Sequence, residues 1–157
     1  MDRMTAKEFL LQPARARVHL EMALLRRDAL KSLTERVTQT FGIQTKGGHS
    51  QNCNAMEDAV IRLTEAEEMV KRRMEELAKA ELEVGDVLAN LCDEKMFGFM
   101  MRRFLNCMSR EEAAKEMNYT YRWGWYEEQK GIEEVQRILD EKDFQQKDKK
   151  YGLSVRK

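Results

Sequence analysis

Five aromatic residues crowd the segment 119–126, with one arginine among them: Tyr119, Tyr121, Arg122, Trp123, Trp125 and Tyr126. Aromatic faces can stack on nucleobases, and arginine can hydrogen-bond to base edges or phosphates. The same segment has helical spacing, and aromatic residues on one helical stripe are usually buried. We therefore expect Tyr121 and Trp125 to pack inward with Ile132, Val135 and Leu139, while Arg122 is the candidate ligand contact.

The sequence indicates catalysis or metal binding less strongly than it indicates nucleic-acid binding. Acidic residues occur in adjacent pairs, but neighbours on a helix diverge by about 100° and do not form an acid–base couple. His49 and Cys53 are spaced like zinc ligands, yet no second ligand pair accompanies them. Nucleophile motifs, phosphate-binding glycine loops and dinucleotide fingerprints are all missing from the sequence. We expect no enzymatic activity, no metal and no cofactor.

Composition indicates an all-α protein. Of 157 residues 36% are charged, with eight glycines and one proline, so the residues that interrupt helices are scarce. The formal net charge is zero, which restricts any nucleic-acid site to a local patch. Three cysteines without framework spacing indicate reduced thiols in a cytoplasmic protein. We find no export signal and no apolar run long enough to span a membrane.

The first 92 residues predict a long antiparallel helical hairpin. Thr5 and Glu8 form a capping box, and Pro13 should break a short first helix from a second that runs to about Thr40. The second helix carries an apolar stripe of Val18, Met22, Leu25, Ala29, Leu33 and Val37. The glycine-rich segment 42–55 predicts a flexible loop, and Asn54 can cap the helix that follows.

That helix has a coiled-coil heptad pattern. Its seam comprises positions 56, 60, 63, 67, 70, 74, 77, 81, 84, 88 and 91, which are apolar except for Glu67 and Glu81. The seam packs either on the preceding helix alone or also on a second copy of the chain. Because a small helical hairpin rarely buries enough surface by itself, we expect a homo-oligomer.

Residues 93–142 predict a small helix-turn-helix unit. An apolar helix precedes a second capping box, Ser109 with Glu112, and a short helix that ends near Asn118. Ala114 has the small side chain that two closely packed helices need, and Asn118 tolerates the positive φ of the turn. Thr120 can cap the last helix, which runs to about Lys142. Residues 143–157 are expected to form a mobile basic tail.

The residues "MSREEAAKEMNYT" followed by a helix resemble the helix-turn-helix of sigma-factor region 4. The whole chain is similar to a family of small sigma region 4-like proteins of phages and prophages of Gram-positive bacteria, related to phage late-gene transcription activators. "MTAKEFL", "MEDAVIRLTEAEE" and "EMNYTYRW" carry this resemblance, which spans about residues 4–139. It implies a frame of Ser109, Ala114, Asn118 and Thr120.

The resemblance implies a transcriptional regulator that binds promoter DNA as a dimer, with RNA polymerase as a partner. Its implied DNA contacts are Arg110, Lys115, Arg122 and Lys130. The chain departs from the family at two inward positions of the last helix, which hold Gly124 and Glu127. Between Thr120 and Lys142, six acidic residues outnumber four basic ones, and this excess of negative charge opposes phosphate binding. A protein-interaction module that has lost DNA binding, or a small DNA-packaging subunit, therefore remain as alternatives.

Overall fold

A computed structural model describes the backbone of residues 4–43 and 49–151 and the side chains of residues 4–40 and 54–147. These residues form helices and no β-strand, which confirms the all-α class. In chain order the helices are α1 (Ala6–Leu10), α2 (Gln12–Ile43), α3 (His49–Leu88), α4 (Glu94–Met100), a π-helical turn (Met101–Leu105), α5 (Arg110–Glu116) and α6 (Tyr121–Tyr151). None of the described helices is both long and apolar enough to cross a membrane.

The N-terminal capping box and the break before α2 are confirmed. The Thr5 side chain accepts a hydrogen bond from the Glu8 amide at 3.3 Å, and the Thr5 amide donates to the Glu8 carboxylate at 3.0 Å. Leu11 ends α1, and Pro13 lies in the first turn of α2, where its missing amide hydrogen leaves no helical bond unmade. Proline thus separates two helices without disrupting either.

The chain divides into two compact units. The terminal unit comprises the described residues of Met1–Ala14 and Lys79–Lys157, and the central unit is Arg15–Ala78. Helices α2 and α3 each contribute residues to both units. The terminal unit therefore contains α1 and the last turns of α3 in addition to the segment 93–142 that the sequence marks out.

A single hydrophobic core holds the terminal unit together. The largest fully buried side chains of this core come from α1, α3, α4 and α6: Leu10, Val84, Leu88, Phe99, Met100 and Val135. The Ala6 amide also donates a 2.7 Å hydrogen bond to the Gln136 side-chain oxygen of α6. Helix α1 thereby closes the core against the last helix, and burial of these apolar side chains is the main stabilising contribution.

In the central unit, α2 and α3 line one groove. The α2 residues that line this groove are not those of the predicted apolar stripe. Ala23 and Leu30 line this groove together with Ala66 and Met69 of α3. The predicted stripe of α2 is exposed except for Val37, which is half-buried. The stripe therefore does not face α3, because the buried Ala23, about 120° around α2 from the stripe, lies on the side where the two helices approach.

Seven of the nine apolar positions in the predicted heptad seam are at least half-buried: Met56, Leu63, Val70, Leu77, Val84, Leu88 and Leu91. Val60, Glu67 and Met74 are exposed. Alanines one position before Val60, Glu67 and Glu81 are buried: Ala59, Ala66 and Ala80. The buried stripe is thus rotated toward the small residues, which permit closer packing than the larger side chains.

Several predicted boundaries differ from the structure. Helix α2 extends to Ile43 and α3 begins at His49, so Asn54 lies inside α3 and does not cap it. The rest of the predicted loop, residues 44–48, lies outside the described residues, as do the side chains of His49 and Cys53. Helix α6 continues to Tyr151, well past the predicted end, and residues 152–157 of the expected tail are not described.

Candidate nucleic-acid interface

The capping box at Ser109 begins α5 where the sequence predicts it. The Ser109 side chain accepts a hydrogen bond from the Glu112 amide at 3.2 Å, and the Ser109 amide donates to the Glu112 carboxylate at 2.9 Å. Hydrogen bonds to the Glu112 carboxylate, first from the Ser109 backbone amide and second from the Ser109 side chain, hold the pKa of Glu112 below its ordinary value. The ionised carboxylate therefore stabilises the helix start at neutral pH.

The connection between α5 and α6 is a tight turn at Asn118. Asn118 has φ 60, and the Tyr119 amide donates to the Ala114 carbonyl at 2.9 Å. Asparagine tolerates this left-handed conformation better than other non-glycine residues. At the far side of the turn, the Thr120 hydroxyl accepts a hydrogen bond from the Trp123 amide at 3.3 Å. Asn118 and Thr120 thus have the local geometry that the sequence predicts for them.

Helices α5 and α6 approach closely at Ala114 and Gly124. Ala114 is buried, and a Cβ added at Gly124 would lie 3.1 Å from the Ala114 Cβ and 3.3 Å from the Phe99 ring. The missing side chain at Gly124 therefore allows this approach. In the sequence, Gly124 stands out only as a departure from the pattern of the family that the chain resembles. Its position ten residues after Ala114, across the turn, is the signal that could have identified it as a packing residue.

The first turns of α6 face the core with residues other than those predicted. Trp123 packs edge-on against the Phe99 ring, with ring centroids 5.5 Å apart, and stacks on Tyr119 at 3.9 Å. Tyr121 and Trp125 are 56% and 43% exposed. The prediction that these two residues pack inward was wrong, because Gly124, Glu127 and Glu128 occupy the inward positions of these turns. Farther along, Ile132, Val135 and Leu139 pack on the core as predicted.

The buried Glu128 carboxylate lies at the centre of an ion cluster that we call the Glu128 clasp, formed by Glu128 and the partly buried Arg103 and Arg110. The Glu128 carboxylate accepts hydrogen bonds from Arg110 Nε at 2.9 Å, Arg110 Nη2 at 3.2 Å and Arg103 Nε at 3.2 Å. Burial would raise the pKa of Glu128, but the bonds and charges of the two arginines outweigh it and lower the pKa. The hydrogen bond to Glu128 in turn raises the pKa of Arg110. Glu128 and Arg110 are therefore both charged at neutral pH.

The π-helical turn places Arg103 for this clasp. Its wider turn is defined by a hydrogen bond from the Asn106 amide to the Met101 carbonyl at 3.1 Å. Arg103 Nη1 also donates to the Met108 carbonyl at 3.0 Å, just before α5 begins. One arginine thus connects the π-helical turn, the start of α5 and the first turns of α6.

Glu127, next to the clasp, is buried without such partners. It is 8% exposed, and its Oε2 atom has no hydrogen-bond partner among the described residues. An unpaired buried carboxylate oxygen destabilises the folded state. Glu127 is therefore the one side chain of this segment whose burial lacks a visible compensation within the described residues.

The four predicted DNA contacts lie in different environments. Lys115 is exposed on α5, and Arg122 and Lys130 are exposed on α6. Arg122 also lies over the Tyr126 ring, 5.9 Å from its centroid. Arg110 is partly buried in the clasp, and its remaining Nη1 group donates to the Tyr121 hydroxyl at 3.2 Å. Three of the four are thus available to a ligand, and the fourth is engaged within the protein.

The outward side of the first turns of α6 forms a surface that we call the α6 face: Tyr121, Arg122, Trp125, Tyr126, Gln129 and Lys130. The two carboxylates of the segment 121–130, Glu127 and Glu128, are buried and do not belong to this surface. The exposed charges of the segment are therefore both positive. The excess of acidic residues counted along the whole helix does not describe the surface of these turns.

A metal site is not indicated in the described residues, where no three His, Cys, Asp or Glu side chains are grouped suitably for an ion. The fold and the α6 face define an all-α protein with a basic and aromatic surface at the start of its last helix. Searches against protein-family models, curated proteins and solved structures find no significant match to this chain.

Proposed function

We propose that the chain is a DNA-binding transcriptional regulator that places the α6 face in the major groove. The observation that carries this proposal is the inward orientation of Glu127 and Glu128, which removes both carboxylates from the surface of the first turns of α6. Phosphate affinity depends on the charges that reach the ligand, and those charges here are Arg122 and Lys130. The acidic composition of α6 is therefore compatible with a basic contact surface.

The arrangement of α5, the turn and α6 supports this proposal. In a helix-turn-helix, a short helix crosses the DNA backbone and the N-terminal residues of the next helix meet base edges. Arg122 lies in the first turn of α6 and Gln129 about two turns later, and both are exposed. Arginine bonds favourably to guanine and glutamine to adenine, so we assign these two residues to base contacts. Lys115 and Lys130 are assigned to phosphates.

The resemblance to sigma region 4-like phage proteins supports the regulatory part of the proposal and suggests RNA polymerase as a partner. In the family pattern, the positions of Gly124 and Glu127 are inward, and both residues are buried in this chain. The residue types at these two positions thus differ from the family pattern, but both positions face inward on the helix, as they do in that pattern. This register supports a retained helix-turn-helix frame.

Selection from random duplex DNA tests the proposal. The full-length protein is incubated with a pool of random duplexes, the bound fraction is sequenced, and affinity for the enriched site is measured by fluorescence anisotropy at increasing salt. We expect one enriched motif and an affinity that falls as salt rises. A pool that remains random, with no binding at low salt, would exclude DNA reading by this chain.

Three variants assign the contacts. We expect Arg122→Ala to cost about 1–3 kcal/mol and to relax selection at one base pair, because a base contact is lost. We expect Lys130→Ala to weaken all sequences similarly and to reduce the salt slope by about 1. Lys142→Ala is the matched control, because it removes an exposed positive charge from the same helix beyond the α6 face. Equal losses in all three variants would contradict the assignment.

A second candidate function is supported by the aromatic residues of the α6 face. Tyr126 is 46% exposed beside the similarly exposed Trp125, and tyrosine and tryptophan commonly dominate protein–protein interfaces. A protein-interaction module would therefore use the same face. The wild-type protein distinguishes the two functions in the DNA selection: capture of a protein partner that Trp125→Ala abolishes, from a wild type that selects no DNA, would favour the interaction module.

A further inference from the structure

The central unit exposes a row of large apolar side chains along α2. Val18, Met22, Leu25 and Leu33 are 51%, 63%, 60% and 47% exposed, and the exposed Ala29 completes the row. We call these five residues the α2 row. At 100° per residue the centre of this row lies about 120° around α2 from Ala23, Leu30 and Thr34, which are turned toward α3 or at least half-buried. Packing within the central unit therefore does not cover this row.

The spacing of the α2 row suits a second helix. Its members are separated by four, three, four and four residues, which is an 11-residue repeat. Such a repeat follows one side of an α-helix with little drift, and two helices can pack along it almost straight. The exposed row on α3 lacks this continuity, because Glu67 lies between Val60 and Met74.

Charges along the two edges of the α2 row indicate what covers it. One edge carries Glu21, Asp28 and Glu35, with the half-buried Arg17 at the same angle as Glu35, and the other edge carries the basic residues Arg15, His19 and Arg26. The two edges are thus mainly acidic and basic, respectively. Asp28 is also paired with the neighbouring Arg27 at 2.7 Å. A helix with one acidic and one basic edge is complementary to another copy of itself when the two run in the same direction.

We propose that the α2 row is a homodimer interface in which two copies of α2 pack in parallel. In this arrangement Glu21 of each chain lies opposite the partner's Arg26, five positions farther along, and the pair occurs twice by symmetry. Antiparallel packing would instead bring the two acidic edges together and the two basic edges together. The proposal concerns the central unit and is independent of DNA binding, because oligomeric state is measured without DNA.

Sedimentation equilibrium of the full-length protein tests the interface. We expect a dimer, and we expect Leu25→Asp to weaken it on the order of 100-fold or more, because a charge replaces an apolar contact in both copies. Thr38→Asp is the matched control, since it adds the same charge at an exposed position of α2 outside the row. Circular dichroism confirms that each variant keeps its helices. A monomeric wild-type protein, or a dimer that Leu25→Asp leaves intact, overturns the proposal.

Two further variants test the direction of the helices. We expect Glu21→Lys to weaken a parallel dimer about threefold or more, whereas it would strengthen an antiparallel one. In a chain whose native cysteines are replaced by serine, we expect Val18→Cys and Leu25→Cys, tested singly, both to form interchain disulfides. Equivalent residues meet all along a parallel pair, but at one level at most in an antiparallel pair. A disulfide at only one position, or a gain in affinity from Glu21→Lys, contradicts parallel packing.

Discussion

Arg110 holds Glu128 by two hydrogen bonds, from Nε to Oε2 at 2.9 Å and from Nη2 to Oε1 at 3.2 Å. The first residue lies in the first turn of α5 and the second in the second turn of α6, so the pair connects the two helices of the candidate interface. The Glu128 carboxylate lies on the inward side of α6. The pair therefore contributes to the basic character of the α6 face without belonging to that surface.

We predict that Arg110→Ala lowers the free energy of unfolding by about 2 kcal/mol, because the buried Glu128 carboxylate loses its bidentate partner and retains only Arg103. Urea unfolding followed by circular dichroism measures this change. Arg122→Ala is the control, since it removes an exposed arginine and should change stability by about 0.5 kcal/mol or less. In a double-mutant cycle, Glu128→Gln should recover part of the loss caused by Arg110→Ala. Strict additivity would argue against the coupling.

Stability should also depend on pH through Glu128. Its pKa is lower in the folded protein than the ordinary value of 4.5, so its stabilising contribution is fully present above pH 4.5 and is lost as pH falls through the folded value. Unfolding free energies measured from about pH 7 down to about pH 3 should fall less steeply for Glu128→Gln than for the wild type. Glu112, whose pKa is also lowered, should supply part of the slope that remains. Identical slopes would exclude Glu128 as the source.

Replacing the neighbouring carboxylate should have the opposite effect. We predict that Glu127→Met raises the free energy of unfolding by about 1 kcal/mol, because an apolar side chain of similar length replaces a buried group with an unpaired oxygen. Glu128→Met, one position later, should instead lower stability, because it leaves Arg103 and Arg110 without their carboxylate. Thermal melts of both variants give the comparison. Equal destabilisation would mean that Glu127 has a compensating partner.

Gly124→Ala should destabilise the terminal unit by about 1–2 kcal/mol, because its Cβ would lie 3.1 Å from the Cβ of Ala114 and force α5 and α6 apart. Adding Ala114→Gly should restore part of the loss by removing that contact. Gly85→Ala is the control on α3, where the nearest atom would be 3.8 Å away, and helix propensity should stabilise it by about 0.5–1 kcal/mol. Calorimetric melting temperatures of the three variants test the close approach.

The local features of the fold follow from neighbouring residues and could be predicted. Both capping boxes, at Thr5 and Ser109, form as expected, and Pro13 and Asn118 lie at a helix start and in a turn. Each of these depends on hydrogen bonds or backbone preferences within about four residues. The all-α class follows from composition for a similar reason, since few residues interrupt helices.

Which side of each long helix faces inward was decided by tertiary packing. Trp125 has a larger apolar side chain than Gly124, and Met74 a larger one than Ala80, yet Gly124 and Ala80 are buried and the larger residues are exposed. Small residues occupy these buried positions because two closely packed helices make more van der Waals contacts than one buried large side chain would make. Glu128 is buried because Arg103 and Arg110, distant in sequence, neutralise it. The sequence by itself thus determined the all-α class, the starts of α1 and α5 and the turn before α6, whereas only the tertiary structure decided which side chains form the surface of α6.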